Sequence, residues 1–495
     1  MMYQSTRDPS HKKYSSAEVI KMGLAPDGGL FIPESIPSLT SEEILGLCRD
    51  SYPVRAAKIL SKFLSDYTYE ELLQDCEAAY AESSFPGGAA PLVHVHDSVY
   101  SLELWHGPTA AFKDMALQIM PRLLSRALVK TGETKDALIL VATSGDTGKA
   151  ALEGYKDIDR IKIMVFYPVD GVSRVQKLQM ATQTGDNVRV CAIRGNFDDA
   201  QTGVKSIFGD EEMAKVLSER GYVLSSANSI NWGRLAPQIV YYISAYCDLM
   251  TKGVITAGEG MDVCVPTGNF GNIFAGYIAK LMGLPIRHFV CASNQNNILT
   301  DFLQTGTYDR NRAFHLTMSP SMDILISSNL ERLLCFTAGE ERTAAYMNDL
   351  KKNGVYTVDA DVFGKITESF SGCFADEEAT ATTIRTYFND YGYLADTHTS
   401  VALYCAEQYL ATLKAEDVRP IVVDSTASPY KFAADVYASL GAVCPEDPLA
   451  SLDELSAKTH TEIPYPLRGL AERTVRFTEV IDAVDMPLCV LDYCK

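Results

Sequence analysis

A chain of 495 residues with 47% hydrophobic and 22% charged residues is too long for one simple core and too apolar to be disordered, so two or three ordinarily packed domains are expected. Its formal net charge of −19 argues against a general nucleic-acid binder, and an anionic ligand would need a local positive site built against that field. Twelve cysteines without a Cys-x-x-Cys pair point to reduced thiols and a cytoplasmic compartment, while the lack of a long apolar run or an apolar leader points away from membrane and secretion.

Residues 1 to about 91 hold the turn-rich apolar stretch Gly23 to Pro33, then helical patterns around 41–48, 54–65 and 69–82. Phe85-Pro86-Gly87-Gly88 reads as a linker, which places a boundary near 91. His94 and His96 share one face of a probable strand, but without cysteine or acidic partners at ligand spacing no metal is expected.

From Trp105 to Leu128 the apolar residues Phe112, Met115, Ala116, Ile119, Met120, Leu123, Leu124, Ala127 and Leu128 recur at three- and four-residue spacing. The spacing predicts a helix with one buried stripe, with Thr109 as its N-cap and Lys113 in or beside the first turn. The partial positive charge of a helix start disfavours an ammonium there and favours the neutral amine that Schiff-base chemistry needs. A solvated lysine on a helix flank is the plain alternative. Pro121 removes the hydrogen bond its N–H would have given Leu117, so a kink is expected there.

Three later units share one plan. Ala137–Ala142 runs through Thr143-Ser144-Gly145-Asp146-Thr147-Gly148 into a helix; Met261–Val265 through Pro266-Thr267-Gly268-Asn269-Phe270-Gly271-Asn272 into another; and Ile421–Asp424 through Ser425 to Pro429 into a third. Buried strand, tight turn and helix in repetition mean an α/β domain with largely parallel sheets. Such turns offer free amides and helix N-termini to anions, although neither glycine loop spells a P-loop or a dinucleotide fingerprint. Between them, Ser225 to Arg234 puts hydroxyls, amides and an arginine at the start of the apolar helix 235–250, a setting suited to a doubly charged phosphate. Residues 320 to 395 read as a mostly solvated helical insertion or lid, with helices over Met322–Leu334 and Glu340–Lys352 and one ending near Phe388. Asp396-Thr397-His398-Thr399 reads as a helix cap, and 445–495 as a helical tail with a final strand.

The chain resembles threonine synthase in Tyr3 to Arg7, Gly23 to Pro33, His106 to Thr109 with Phe112-Lys113-Asp114, Ser144 to Gly148, Asn228 to Arg234, Pro266 to Asn272 and Ser319 to Asp323. The match runs in order from residue 3 to about 432, and the long N-terminal segment resembles the bacterial and fungal branch. The resemblance implies an α/β, tryptophan synthase β-like fold (fold type II of pyridoxal phosphate enzymes), with an N-terminal domain and a helical insertion. It implies a pyridoxal 5'-phosphate enzyme that converts O-phosphohomoserine and water to threonine and phosphate, as a monomer or small homo-oligomer.

By position, Lys113 would be the Schiff-base lysine; Gly268, Asn269, Phe270, Gly271 and Asn272 would hold the cofactor phosphate; and Thr426 would face the pyridine nitrogen. Ser144, Gly145, Asp146 and Thr147 would receive the substrate carboxylate, and Ser229, Asn231 and Arg234 its phosphate. Since Asp146 repels a carboxylate, binding there falls to backbone amides and hydroxyls. The implied domains are 1–91, a large domain of 92–135 and 230–495 with the insertion at about 320–395, and a small domain of 136–229. Where the family usually shows Ala-His-Pro-x-Lys-Phe, this chain has Ala427-Ser428-Pro429-Tyr430-Lys431-Phe432. That departure keeps open a related phospho-lyase that releases 2-oxobutyrate.

Overall fold

The computed structural model describes residues 1–143, 145–170 and 172–495. Fifteen strands are found among them. β1 (Tyr3–Ser5) pairs antiparallel with β2 (Phe31–Pro33) in the N-terminal segment. The three helices expected there are Ser41–Leu47, Tyr52–Phe63 and Tyr69–Ala79. Thr40 and Thr68 start the first and third, each accepting from the amide of a glutamate that reaches back to the cap, Glu43 and Glu71.

β3 (Leu92–His96) and β4 (Val99–Glu103) are followed by β5 (Asp136–Ala142), β6 (Ile161–Pro168), β7 (Val188–Arg194) and β8 (Tyr222–Ser225). Then come β9 (Met261–Pro266), β10 (Ile286–Ser293), β11 (Thr307–Asp309), β12 (Val355–Thr357), β13 (Phe370–Phe374), β14 (Ile421–Ser425) and β15 (Val480–Asp482). Two larger sheets result. One has the order β13-β10-β9-β14-β4-β3 and is parallel except for β3; the other has the order β15-β7-β6-β5-β8 and is parallel throughout.

Both sheets are buried on two faces, which is why their strands read as apolar runs rather than alternations. In the six-stranded sheet Val263, Val265 and Val422 enter one core, while Cys264, Ile421 and Val423 enter another with Val401 and Ala402 of the helix Thr397–Leu410. In the five-stranded sheet Ala137, Ile139 and Val165 face the first core; Leu138, Leu140 and Phe166 face a separate one with Met486 and Val490 of the last helix, Met486–Tyr493. Each fully buried Val, Ile or Leu contributes roughly 1.5–3 kcal/mol, so these cores fix both sheets.

Four expectations change. The single helix over 109–128 is two: Asp114–Leu117 and Met120–Lys130, with Pro121 in the first turn of the second, where its missing N–H costs nothing. The freed Leu117 carbonyl is covered by Gly154 of the helix Asp146–Tyr155, where a Cβ would lie 1.8 Å from that oxygen. Thr109 is not a helix cap; its N–H and hydroxyl donate to the Asp114 carboxylate at 2.8 and 2.7 Å. The segment 320–395 is not a solvated lid, because Arg332, Leu333 and Leu334 are fully buried and Phe370–Phe374 forms an edge strand of the large sheet. Its first helix starts at Leu330, after a single 3-10 turn at Pro320–Met322. Finally, the strand expected at the end of the tail is not the last element: residues 480–482 pair with β7 in the small sheet, covering its open edge, and the helix Met486–Tyr493 follows them. Among the described residues no helix is long and apolar enough to cross a membrane.

Candidate functional site

Five of the segments singled out in the sequence leave the carboxyl ends of parallel strands: β4 leads to Lys113, β5 to Gly145–Thr147, β8 to Ser229–Arg234, β9 to Gly268–Asn272 and β14 to Thr426. In open α/β sheets that is the edge where ligands sit. The approach to Lys113 is fastened to the β14 loop. Trp105 Nε1 donates to Ser425 Oγ at 3.0 Å, Phe112 N to Thr426 O at 2.8 Å and Ser428 N to Ala110 O at 3.1 Å. Thr426 and Lys113 are therefore neighbours by main-chain pairing, with Ala110 in the left-handed region at φ 58°.

Lys113 precedes a helix of only four residues, so its environment is set by burial more than by a helix dipole. Burial pushes its amine below the usual lysine range; Asp146 opposes this, and the nearby Lys431 and Arg234 cations reinforce it. Its Nζ lies 3.4 Å from Ser321 Oγ and 3.9 Å from Asp146 Oδ2. Burial would push the Asp146 carboxyl up, but Lys431 and Lys113 hold it well below the ordinary range. Lys431 Nζ, with no side-chain exposure, is 2.8 Å from Asp146 Oδ1 and also donates to Thr109 O at 3.1 Å. Asp146 thus serves two lysines and accepts from Gln176 Nε2 at 2.9 Å.

Gly145 has φ 149°, and a Cβ there would meet the Gln176 amide at 2.4 Å, so only glycine fits. Thr147 is half-buried in the first turn of the helix that follows. Ser144 lies outside the described residues.

In the β9 loop, Phe270 takes a left-handed φ of 64° immediately before the helix Gly271–Leu281. Two loop carbonyls are occupied from outside. Gly268 O accepts from Ser327 Oγ at 2.7 Å and Asn269 O from Asn329 N and Nδ2 at 3.0 and 2.9 Å. Asn272 Nδ2 is buried without a hydrogen-bond partner. The carbonyls are turned out and the amides at the helix start are left for an anion.

In the third loop, Ser229 Oγ donates to Asn228 Oδ1 at 3.3 Å. Asn231 caps the helix Trp232–Thr251 by accepting from Gly233 N at 2.8 Å, and its Nδ2 donates to Ile20 O at 2.9 Å. Both ends of its side chain are thus engaged by the fold. Arg234 is the open group. It is buried, its Nη1 donates to Ala227 O at 2.6 Å, its Nε has no partner, and no carboxylate lies within ion-pair distance among the described residues. Burial lowers its guanidinium to about 10.

Sequence reasoning passed over several residues here. Ser321, in the Pro320–Met322 turn, faces Lys113, and its N–H donates to His398 Nε2 at 3.1 Å. Arg332, read only as part of a helix, reaches Phe31 O at 2.9 Å, Ile230 O at 2.6 Å and Asn329 Oδ1, tying the N-terminal segment to two of the loops. Its neighbour Glu331 accepts from Thr6 Oγ1 at 2.5 Å and Arg7 Nε at 2.7 Å. The only advance signal was the Tyr3 to Arg7 and Ser319 to Asp323 motif stretches themselves. His94 and His96 lie away from these groups; His96 Nε2 is 3.0 Å from Glu407.

Asp114 offers a pH test of local geometry. Burial pushes its carboxyl up to about 7 in spite of the two bonds from Thr109. A raised carboxyl favours the folded state while protonated, a contribution present in full below about pH 4 and lost as pH rises through about 7. A neutral side-chain amide in its place would accept from Thr109 N–H and donate to the Thr109 hydroxyl, as the protonated acid does. Asp114→Asn is therefore expected to gain on wild type from pH 5 to 8, by up to about 4 kcal/mol, in urea unfolding followed across pH. Parallel stability curves for the two proteins contradict this.

Two sequence-family profiles match the chain: "Threonine synthase N terminus" over residues 2–80 and "Pyridoxal-phosphate dependent enzyme" over 85–424. It is 41% identical over 427 residues to human threonine synthase-like 1, matching 84% of this chain but spanning 56% of that relative's length. It is 38% identical over 435 residues to Pseudomonas aeruginosa threonine synthase, covering 87% of this chain and 88% of the other. The crystal structure of PLP-bound threonine synthase from Brucella melitensis superposes with a TM-score of 0.89 at 36% identity, covering both chains completely.

Proposed function

Since the chain belongs to the threonine synthase family of pyridoxal-phosphate-dependent enzymes, we propose that it converts O-phosphohomoserine and water to threonine and phosphate. One observation carries the substrate assignment: Arg234 is a buried guanidinium without a counter-ion among the described residues, at the start of a twenty-residue helix beside Lys113. A buried cation is costly until an anion joins it, and a substrate phosphate is such an anion.

The residues also suit the cofactor. Lys113 supplies an amine shifted toward neutrality, and the Gly268–Asn272 loop combines turned-out carbonyls with the orphaned Asn272 Nδ2. Pyridoxal phosphate, held by Lys113 and that loop, supplies the electron sink that acidifies the substrate's C–H bonds. We assign Thr426 to the pyridine nitrogen, where a neutral hydroxyl leaves the sink milder than a carboxylate would. Lys113, once displaced by substrate, shuttles protons at Cα, Cβ and Cγ, and the leaving phosphate assists as a base. Arg234 and Ser229 hold the substrate phosphate. The Thr147 amide and hydroxyl, with Ser144, hold its carboxylate, and Gly145, whose own N–H donates to Thr143 Oγ1 at 3.0 Å, shapes the turn that presents them. Asp146 remains the counter-ion of Lys431 and Lys113 rather than a substrate ligand. For the domains we propose residues 1–91, a large unit on the six-stranded sheet and a small unit of 136–229 completed by residues 480–493.

Incubating the purified holoenzyme with O-phosphohomoserine and analysing products tests this. Threonine and phosphate in equal amounts are expected; 2-oxobutyrate without threonine would replace the assignment with the phospho-lyase. Ser428, where the family carries histidine, is buried and caps its own turn by accepting from Tyr430 N at 3.3 Å.

A further inference from the structure

Lys113 Nζ has two polar neighbours that pull it in different directions. Asp146 Oδ2, at 3.9 Å, attracts an ammonium, whereas Ser321 Oγ, at 3.4 Å, can accept an N–H from the amine in its neutral form as well. For an amine that must take a proton from carbon, the second partner is the useful one: one N–H is held and the lone pair is left aimed at the substrate.

Ser321 is fastened for that purpose. Its N–H donates to His398 Nε2 at 3.1 Å, which requires that nitrogen to carry a lone pair. The ring proton therefore sits on Nδ1, 2.9 Å from Asp396 Oδ1. His398 and Asp396 are buried, and Asp396 is itself fixed by capping the helix through His398 N at 2.8 Å and Thr399 N at 3.3 Å. On its other side the Ser321 carbonyl rests against Gly268, where a Cβ would lie 2.7 Å away. A helix cap needs Asp396 alone; it does not require a buried imidazole reaching a serine 77 residues earlier in the chain. The Ser321 side chain, in contrast, is open to the site, and among the described residues its hydroxyl bonds Lys113.

We infer that Ser321 is a catalytic residue that orients the released Lys113 amine, and that His398, set by Asp396, is the positioning residue that holds Ser321 in place. This rests on Lys113 being the cofactor lysine, which the visible absorbance of the wild-type holoenzyme, and its loss in K113A, tests separately.

The experiment compares S321A, H398A, H398Q and the double variant H398A/S321A as holoenzymes, reading kcat, KM for O-phosphohomoserine and cofactor absorbance. S321A and H398A are each expected to lower kcat about 10- to 100-fold, with KM within about threefold and absorbance retained. H398Q, whose side-chain oxygen can accept from the Ser321 N–H, is expected to recover to within about fivefold of wild type. The double variant is expected to be no more than about threefold slower than S321A, since both changes remove one arrangement. Losses that multiply in the double variant, an H398Q as impaired as H398A, or an effect confined to KM overturns the inference. If H398A does not fold, S321A decides: turnover within about threefold of wild type refutes the role.

Discussion

Lys113→Ala is expected to abolish turnover, by at least about 10³-fold, and with it the visible absorbance that a lysine-bound pyridoxal gives. The amine has the attributes of a nucleophile: burial and two neighbouring cations lower its proton affinity, and the main-chain pairing of residues 110–112 with 426–428 fixes the residues leading into it. Lys113→Arg separates charge from chemistry, because it keeps a cation beside Asp146 but cannot form the bond, and it should be as inactive as the alanine variant. Methylamine, small enough for the space left by alanine, is expected to restore a few per cent of activity. The checks are an absorbance spectrum and a phosphate-release assay on each variant. Retention of the band together with turnover in Lys113→Ala would move the lysine role elsewhere, and Lys431, 2.8 Å from the same Asp146, would be the next to replace.

Arg234→Ala is expected to lower kcat/KM for O-phosphohomoserine by about 10²- to 10³-fold, the cost of leaving a buried phosphate short of its charge-assisted bonds. The substrate-free protein should respond in the opposite sense. Burial lowers the guanidinium to about 10, a terminal nitrogen finds an acceptor in Ala227 O, and no carboxylate offsets the desolvation among the described residues. Arg234→Met, similar in length and apolar, is therefore expected to match or exceed wild-type stability by about 1–4 kcal/mol. Inorganic phosphate should raise the melting temperature of wild type and leave that of Arg234→Met unmoved. A variant that melts early yet keeps its kcat/KM would show that Arg234 supports the fold instead.

The glycine loops were legible because each rests on a local necessity: only glycine fits φ 149° at residue 145, and the buried strands before the loops announce themselves by composition. The helix around Lys113 was misread for an equally physical reason. The apolar stripe passes unbroken across Gln118 and Ile119, since both short helices pack on the same core, and periodicity cannot register a change of axis. Thr109 has the residue type of a cap, but a nearby buried carboxylate claimed its donors. The Ser321, His398 and Lys431 contacts were illegible because they join residues 208, 77 and 322 positions apart, and nothing in the local pattern distinguishes them from surface polar groups. Phe370–Phe374 hid as a strand because Gly372 interrupts it, at a point where a Cβ would meet Thr300 Cα at 2.7 Å.

The pairing of β15 with β7 has a consequence for how the molecule is made. Arg194 and Asp482 meet at 3.0 Å across 288 positions of sequence, and Met486 and Val490 close the outer core of the same sheet. During synthesis β5 to β8 leave the ribosome early, yet one edge strand and part of one face cannot be covered until residues 480–493 emerge. At roughly 5–20 residues per second that is about 10 to 50 seconds in which the β7 edge and the apolar side chains of Cys191 and Ile193 stand exposed. The nascent chain is thus most open to chaperones, and to aggregation, at this sheet, and a shortened product ending before residue 480 would keep that liability for life.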